Sequence, residues 1–145
     1  MKHTLILLTA LLLVPLGTLH ATDINEFGQP IPAADLPDLA LQPAQVITEF
    51  GPDHVKSSRG AQGVPAIERA AEGRLWAAWY AGKSKRGVES SSSYVVLATS
   101  GDDGANWTEK LVLQAPRLCH TYDPCLWIDP TGKLWFFWAQ SAGLQ

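Results

Sequence analysis

The chain has 145 residues, a formal net charge of −3 and 46% hydrophobic residues. With 11 Lys and Arg against 14 Asp and Glu, it carries neither the basic excess of a nucleic-acid binder nor a block of like charge that would act as a tail. All six tryptophans fall between Trp76 and Trp138, a loading that suits aromatic strands.

Taken from the N-terminus, Lys2 and His3 precede an apolar run from Leu5 to Leu16, and Thr18-Leu19-His20-Ala21 follows it. This is the pattern of a secretory signal peptide over 1–21, with cleavage near Ala21. The run is shorter than the ~20 apolar residues of a membrane-spanning helix, so the expectation is a secreted or periplasmic protein with no stable span after processing. Residues 22–43 hold Pro30, Pro32, Pro37 and Pro43 and read as an extended N-terminal arm. A strand is expected from Ala44 to Phe50, closed by Gly51-Pro52, and then a polar loop from His54 to Gly63. Export also makes Cys119 and Cys125 candidates for a small disulfide loop, with two unpaired thiols as the alternative. No second Cys/His pair stands at ligand spacing, so neither a metal nor another cofactor is expected.

Two segments repeat. Residues 65–79 align without a gap on residues 124–138, an offset of 59 (Pro65 to Pro124). Pro65 and Pro124, Gly73 and Gly132, Leu75 and Leu134, Trp76 and Trp135, and Trp79 and Trp138 coincide, and Arg74 and Lys133 keep the charge. Each copy reads as strand, tight turn, strand, with the proline opening the first strand and the Leu-Trp run forming a buried aromatic strand. Alanine and glutamate favour a helix over 66–78, but Asp129-Pro130-Thr131-Gly132 in the second copy is a turn that no helix survives. Between the copies lie a polar loop over 80–93, a strand over Tyr94–Thr99 and a strand over Leu111–Leu113.

The stretch joining those last two strands is Ser100-Gly101-Asp102-Asp103-Gly104-Ala105-Asn106-Trp107. An acidic side chain able to accept backbone N–H groups, a glycine suited to positive φ and an aromatic plug stand at fixed offsets. It resembles the Asp-box, S-x-D-x-G-x-x-W, of sialidases and related β-propellers. With Val64-Pro65 and Asp123-Pro124 opening two strands, residues 63–140 resemble the first blade and part of the second of the sialidase superfamily. The resemblance implies an all-β fold: an incomplete six-bladed sialidase-type β-propeller of about one and a half blades of antiparallel strands, over 44–145. The strand ending at Phe50 would close the last blade.

What the resemblance implies about function is an exo-glycosidase acting on terminal sugars of glycans, sialic acid or related, of which this chain is the N-terminal part, inactive alone. The partner is then a glycan or small carbohydrate. The alternative is a non-catalytic carbohydrate-binding or interaction propeller. The family holds the sugar carboxylate with three arginines and uses an aspartate acid/base with a tyrosine nucleophile. Here Gly63 stands where the first arginine is expected. Glu89 takes the place of the acid/base and Asp123 that of a substrate-orienting carboxylate. Arg59, Lys83, Arg86, His120 and Tyr122 are the substrate-binding candidates.

Overall fold

A computed structural model of the protein describes residues 36–85, 89–117 and 119–142. The signal-peptide reading and Arg86 lie outside these residues. The described chain is all-β apart from short helices, and its strands pair antiparallel in two open sheets. In order come α1 (Leu36–Leu41), β1 (Gln45–Ile47), a 3-10 turn (Lys56–Ser58), β2 (Ala61–Arg69), β3 (Leu75–Gly82), β4 (Tyr94–Ser100), β5 (Thr108–Gln114), β6 (Cys119–Ile128) and β7 (Leu134–Ala142). One sheet has the order β1-β5-β4-β3-β2 and the other is the β6–β7 hairpin.

The repeat in sequence is a repeat in backbone. In the first copy Gly73 N–H donates to Ala70 O and Ala70 N–H to Arg74 O. In the second, Gly132 N–H donates to Asp129 O and Asp129 N–H to Lys133 O. Gly73 and Gly132 take φ of 93° and 85°, which explains why glycine recurs at this point of the turn. The β2–β3 register slips between Gly63 and Ala66, and the β6–β7 register between Tyr122 and Cys125. At the slips Val64 and Asp123 have φ of 46° and 43°. Each is a bulge in which two residues face one on the partner strand. Pro65 and Pro124 therefore sit inside their strands, not at the first position, because the bulge is where a missing N–H breaks no ladder bond.

The hairpin β6–β7 lies against β2 and β3. Leu126, with Leu134 and Phe136, packs on Ala78 and Leu97, and Ala66, Trp76 and Leu111 border the contact. Thr121 pins the start of β6: its N–H donates to Ser93 O and its hydroxyl to Leu113 O at 2.8 Å. The opposite face of the five-stranded sheet has its own core of Ala81, Tyr94, Val96 and Val112, covered by Ile47, Phe50 and Trp79.

Three expectations change, and the alternative left open for the cysteines is decided. The strand near residue 47 is Gln45–Ile47, and it pairs with β5 of the first unit, not with a last blade. The arm contains a helical turn, α1, against β7, where Gln140 Nε2 donates to Ala40 O and Gln42 O. Proline in the first turn of a helix costs no hydrogen bond, so Pro37 does not prevent it. Cys119 and Cys125 are both free, and both lie in β6, where six residues of extended chain span roughly 20 Å, far beyond disulfide reach. Finally, the aromatic strand of the second copy is open on one face: Trp127, Trp135 and Phe137 are exposed and stack with ring centroids 6.4 and 6.2 Å apart.

Candidate functional site

The starts of β2, β4 and β6 and the end of β3 lie at one end of the sheets, and the Ser100–Trp107 turn lies at the other. That turn is closed on itself. Asp102 accepts from Ser100 Oγ, Asn106 N–H and Asn106 Nδ2, and Ser100 Oγ accepts from Gly104 N–H. These bonds, led by those from Asn106, hold the Asp102 carboxyl down at about 2. Gly104 has φ of 90° and lies under Trp107. Ser100, Asp102 and Asn106 satisfy one another locally and Asp103 pairs with Arg69 of β2, so the motif fixes the β4–β5 connection.

At the opposite end the candidates separate into three groups. Glu89 is on the β3–β4 loop and Asp123 is exposed on the β6 bulge, near enough for the charge of Asp123 to act on Glu89. Burial, and then the charge of Asp123, push the Glu89 carboxyl up from its ordinary value. Tyr122 stands beside Asp123 in the chain, and its ring stacks on His120 at 4.8 Å and 25°. His120 is only 4% exposed, and burial lowers its pKa, so the ring is neutral at pH 7. Its Nε2 lies 3.5 Å from Ser141 Oγ, and Nδ1 has no hydrogen-bond partner among the described residues.

Lys83 belongs to a second group. It donates to Asp53 Oδ1 at 2.6 Å and lines a cavity of about 510 Å³ together with His54, Ser91, Tyr94, Arg117 and Cys119. The hydrogen bond and charge of Lys83 hold the Asp53 carboxyl low. Neither Glu89 nor Asp123 lines that cavity.

Arg59 does not line the cavity but is bonded to two residues that do, His54 and Tyr94. Its side chain is 1% exposed and forms two parallel bonds to Glu109, Nη1 to Oε1 at 2.8 Å and Nη2 to Oε2 at 2.7 Å. Nη2 also donates to His54 O and Nε to Tyr94 Oη. Burial works against its charge, but the bonds to Glu109 and Tyr94 outweigh it and the guanidinium pKa is raised. A planar fork held this way anchors the 48–60 segment on the sheet and has no free edge for a sugar carboxylate.

Gly63 has a spatial explanation. A Cβ built there would lie 2.9 Å from both Cε1 and Oη of Tyr80, its cross-strand partner, so any side chain collides with the phenol. The second copy shows the reverse arrangement, with Tyr122 facing Ala139. Tyr80 and Glu109 are the two residues here that the sequence did not single out. For Tyr80 the signal was a glycine in the facing strand, but the pairing depends on a bulge that shifts the register by one.

The bulges themselves carry strain. Positive φ is tolerated by Asp and costly for a β-branched residue, so Val64 is the more strained of the pair. Among the described residues no group of three His, Cys, Asp or Glu side chains is arranged to hold a metal ion. No helix among them is long and apolar enough to cross a membrane. No protein-family model matches the chain, and no curated protein matches it.

Proposed function

We propose that the chain belongs to a secreted, sialidase-like glycosidase acting on terminal sugars of glycans, built on about one and a half blades of a six-bladed β-propeller. The observation that carries this reading is the approach of Glu89 to Asp123 at the end where the bulged strands begin. A carboxyl group whose pKa is raised by burial, beside a second, exposed carboxyl group, is the pairing that glycoside hydrolysis uses for acid and stabiliser. In this reading Glu89 is the acid/base, Asp123 orients the sugar and Tyr122 borders the site. Further support comes from the Asp102 turn, whose bonds follow from the Asp-box residue pattern, and from the bulge and turn shared by both strand pairs.

A second reading, a carbohydrate-binding propeller without turnover, draws on two observations. Gly63 is closed by Tyr80 and Arg59 is engaged by Glu109, so neither supplies the first arginine of a sialidase.

Glu89→Gln in the intact protein, assayed against a sialoside and a panel of neutral glycosides, distinguishes the two. Loss of turnover by at least about 100-fold with binding retained is the result expected of a general acid. Wild-type activity should fall as pH rises through the raised Glu89 value, because the acid form is the working one. Unchanged turnover in the variant removes Glu89 from the mechanism. Binding without turnover in the wild type supports the second reading.

A further inference from the structure

The open face of the β6–β7 hairpin has a covered counterpart in the same molecule. The hairpin packs on the five-stranded sheet through Leu126, Leu134 and Phe136, which meet Ala78 and Leu97 with Trp76 at the border. Side chains alternate along a strand, so each hairpin has two faces. In β6–β7 the inserting face carries Leu126 and Phe136, partners across the ladder. In β2–β3 the receiving face carries Trp76 and Ala78.

The 59-residue offset carries each face onto the other hairpin. The inserting face of β2–β3 is then Ile67 with Ala77, again partners across the ladder, and the receiving face of β6–β7 is Trp135 with Phe137. Where the two kinds of face meet, they are closed: Leu126 is 5% exposed and Ala78 is fully buried. Where they do not meet, they are open: Ile67 is 64% exposed, and Trp135 and Phe137 are exposed as well. One chain thus carries an unused inserting face on its first hairpin and an unused receiving face on its second. The cover on that side of β3 lies further along the strand. Ile47 and Phe50 pack with Trp79 on Ala81, Tyr94, Val96 and Val112, and Ile67 stays clear of them.

Side-chain size selects the occupant. Within the chain the large Phe136 inserts and the small Ala78 receives. At the open faces the sizes are exchanged: Ala77 inserts and Phe137 receives. Both combinations set a large side chain against a small one, which is what close packing asks of facing positions. We propose that a second copy of this chain seats its Ile67–Ala77 face on the Trp135–Phe137 face of the first, head to tail. The inference stands on the repeat and not on the glycosidase reading. The contact is heterologous, so each end can take a further copy. It is also smaller than the internal one. Leu97 of β4 and Leu111 of β5 widen the receiving surface of the first unit, whereas the second sheet has two strands among the described residues. Association is therefore weak, and copies separate in dilute solution.

The test is sedimentation velocity on the full chain over about 5–500 µM, with the variants Ile67→Glu and Phe137→Glu, both at exposed positions. Association that rises with concentration is expected, and each variant alone should weaken it at least about tenfold. An equimolar mixture of the two variants should form a dimer that grows no further, because Ile67→Glu keeps a receiving face and Phe137→Glu an inserting one. Recovery in the mixture also shows that both variants are folded. A wild-type chain that stays monomeric throughout overturns the inference. So does association that Phe137→Glu abolishes and Ile67→Glu leaves intact, the sign of two receiving faces meeting symmetrically. Association untouched by either variant, or a mixture that stays monomeric, overturns it as well.

Discussion

The hairpins β2–β3 and β6–β7 share a bulge, a turn and a turn glycine, yet the face that carries Trp76 and Ala78 in the first is covered and its equivalent in the second is open. In the first, Trp76 and Ala78 lie under Leu126 and Phe136. Their equivalents at the 59-residue offset, Trp135 and Phe137, are 39% and 48% exposed. The same backbone thus serves as a receiving surface in one copy and as an open surface in the other. The backbone repeat is set by local turn and bulge chemistry, whereas coverage depends on what lies next to each hairpin.

The largest expected effect tests that contrast directly. Leu126→Ala removes the side chain that joins the hairpin to the sheet and should destabilise by about 2–5 kcal/mol. Phe137→Ala, on the open face of the same hairpin, should change stability by less than about 0.5 kcal/mol. Equal losses in chemical denaturation would show that the open face is covered in solution.

A smaller effect tests the likeness. Gly73→Ala and Gly132→Ala each place a Cβ at positive φ with nothing within 4 Å of it, so only backbone strain is felt. Each should cost about 1–2 kcal/mol, and the two costs should match. A difference larger than either value would mean that the turns are alike in geometry only.

The smallest effect compares two acids. Asp102 is held at about 2, below its ordinary 3.8, chiefly by Asn106 and then by Ser100. Asp129 in the second copy is lowered too, by Thr131 first and then by the Trp135 indole N–H. A depressed carboxylate contributes stability that is present above the unfolded value and is lost as pH falls toward the folded one. Unfolding temperature should therefore drop between 3.8 and about 2. Asp102→Asn and Asp129→Asn should each flatten part of that acid limb. A limb unaltered in both variants would remove these turns as its source.

The legible parts of the chain were those fixed by near neighbours. Gly73, Gly132 and the Ser100–Trp107 turn depend on a few adjacent residues, so their pattern identified the turns and the strands beside them. Coverage was not legible. The Glu109 partner of Arg59 lies 50 residues away, and a lone arginine in a polar loop reads as a surface group. The bulges set a further limit. Counting back from the Gly73 turn without a bulge puts Gly63 opposite Ala81; the slip at Val64 makes the partner Tyr80. One residue of register exchanges the two faces of a strand, and with them the chemistry offered at its start. Glu89 and Asp123 were both named from sequence, whereas their closeness follows from how β6 lies across the sheet.

The pairing of β1 with β5 carries a consequence for synthesis. Gln45 is matched to Gln114, so the strand made first waits for one made much later. At about 5–20 residues per second, β1 leaves the ribosome several seconds before its partner exists. Until then its Val46 and Ile47 are apolar residues without a ladder, and β1 joins only after β5 has emerged. A strand of three residues is well matched to that delay, since it offers little edge to a wrong partner while it waits.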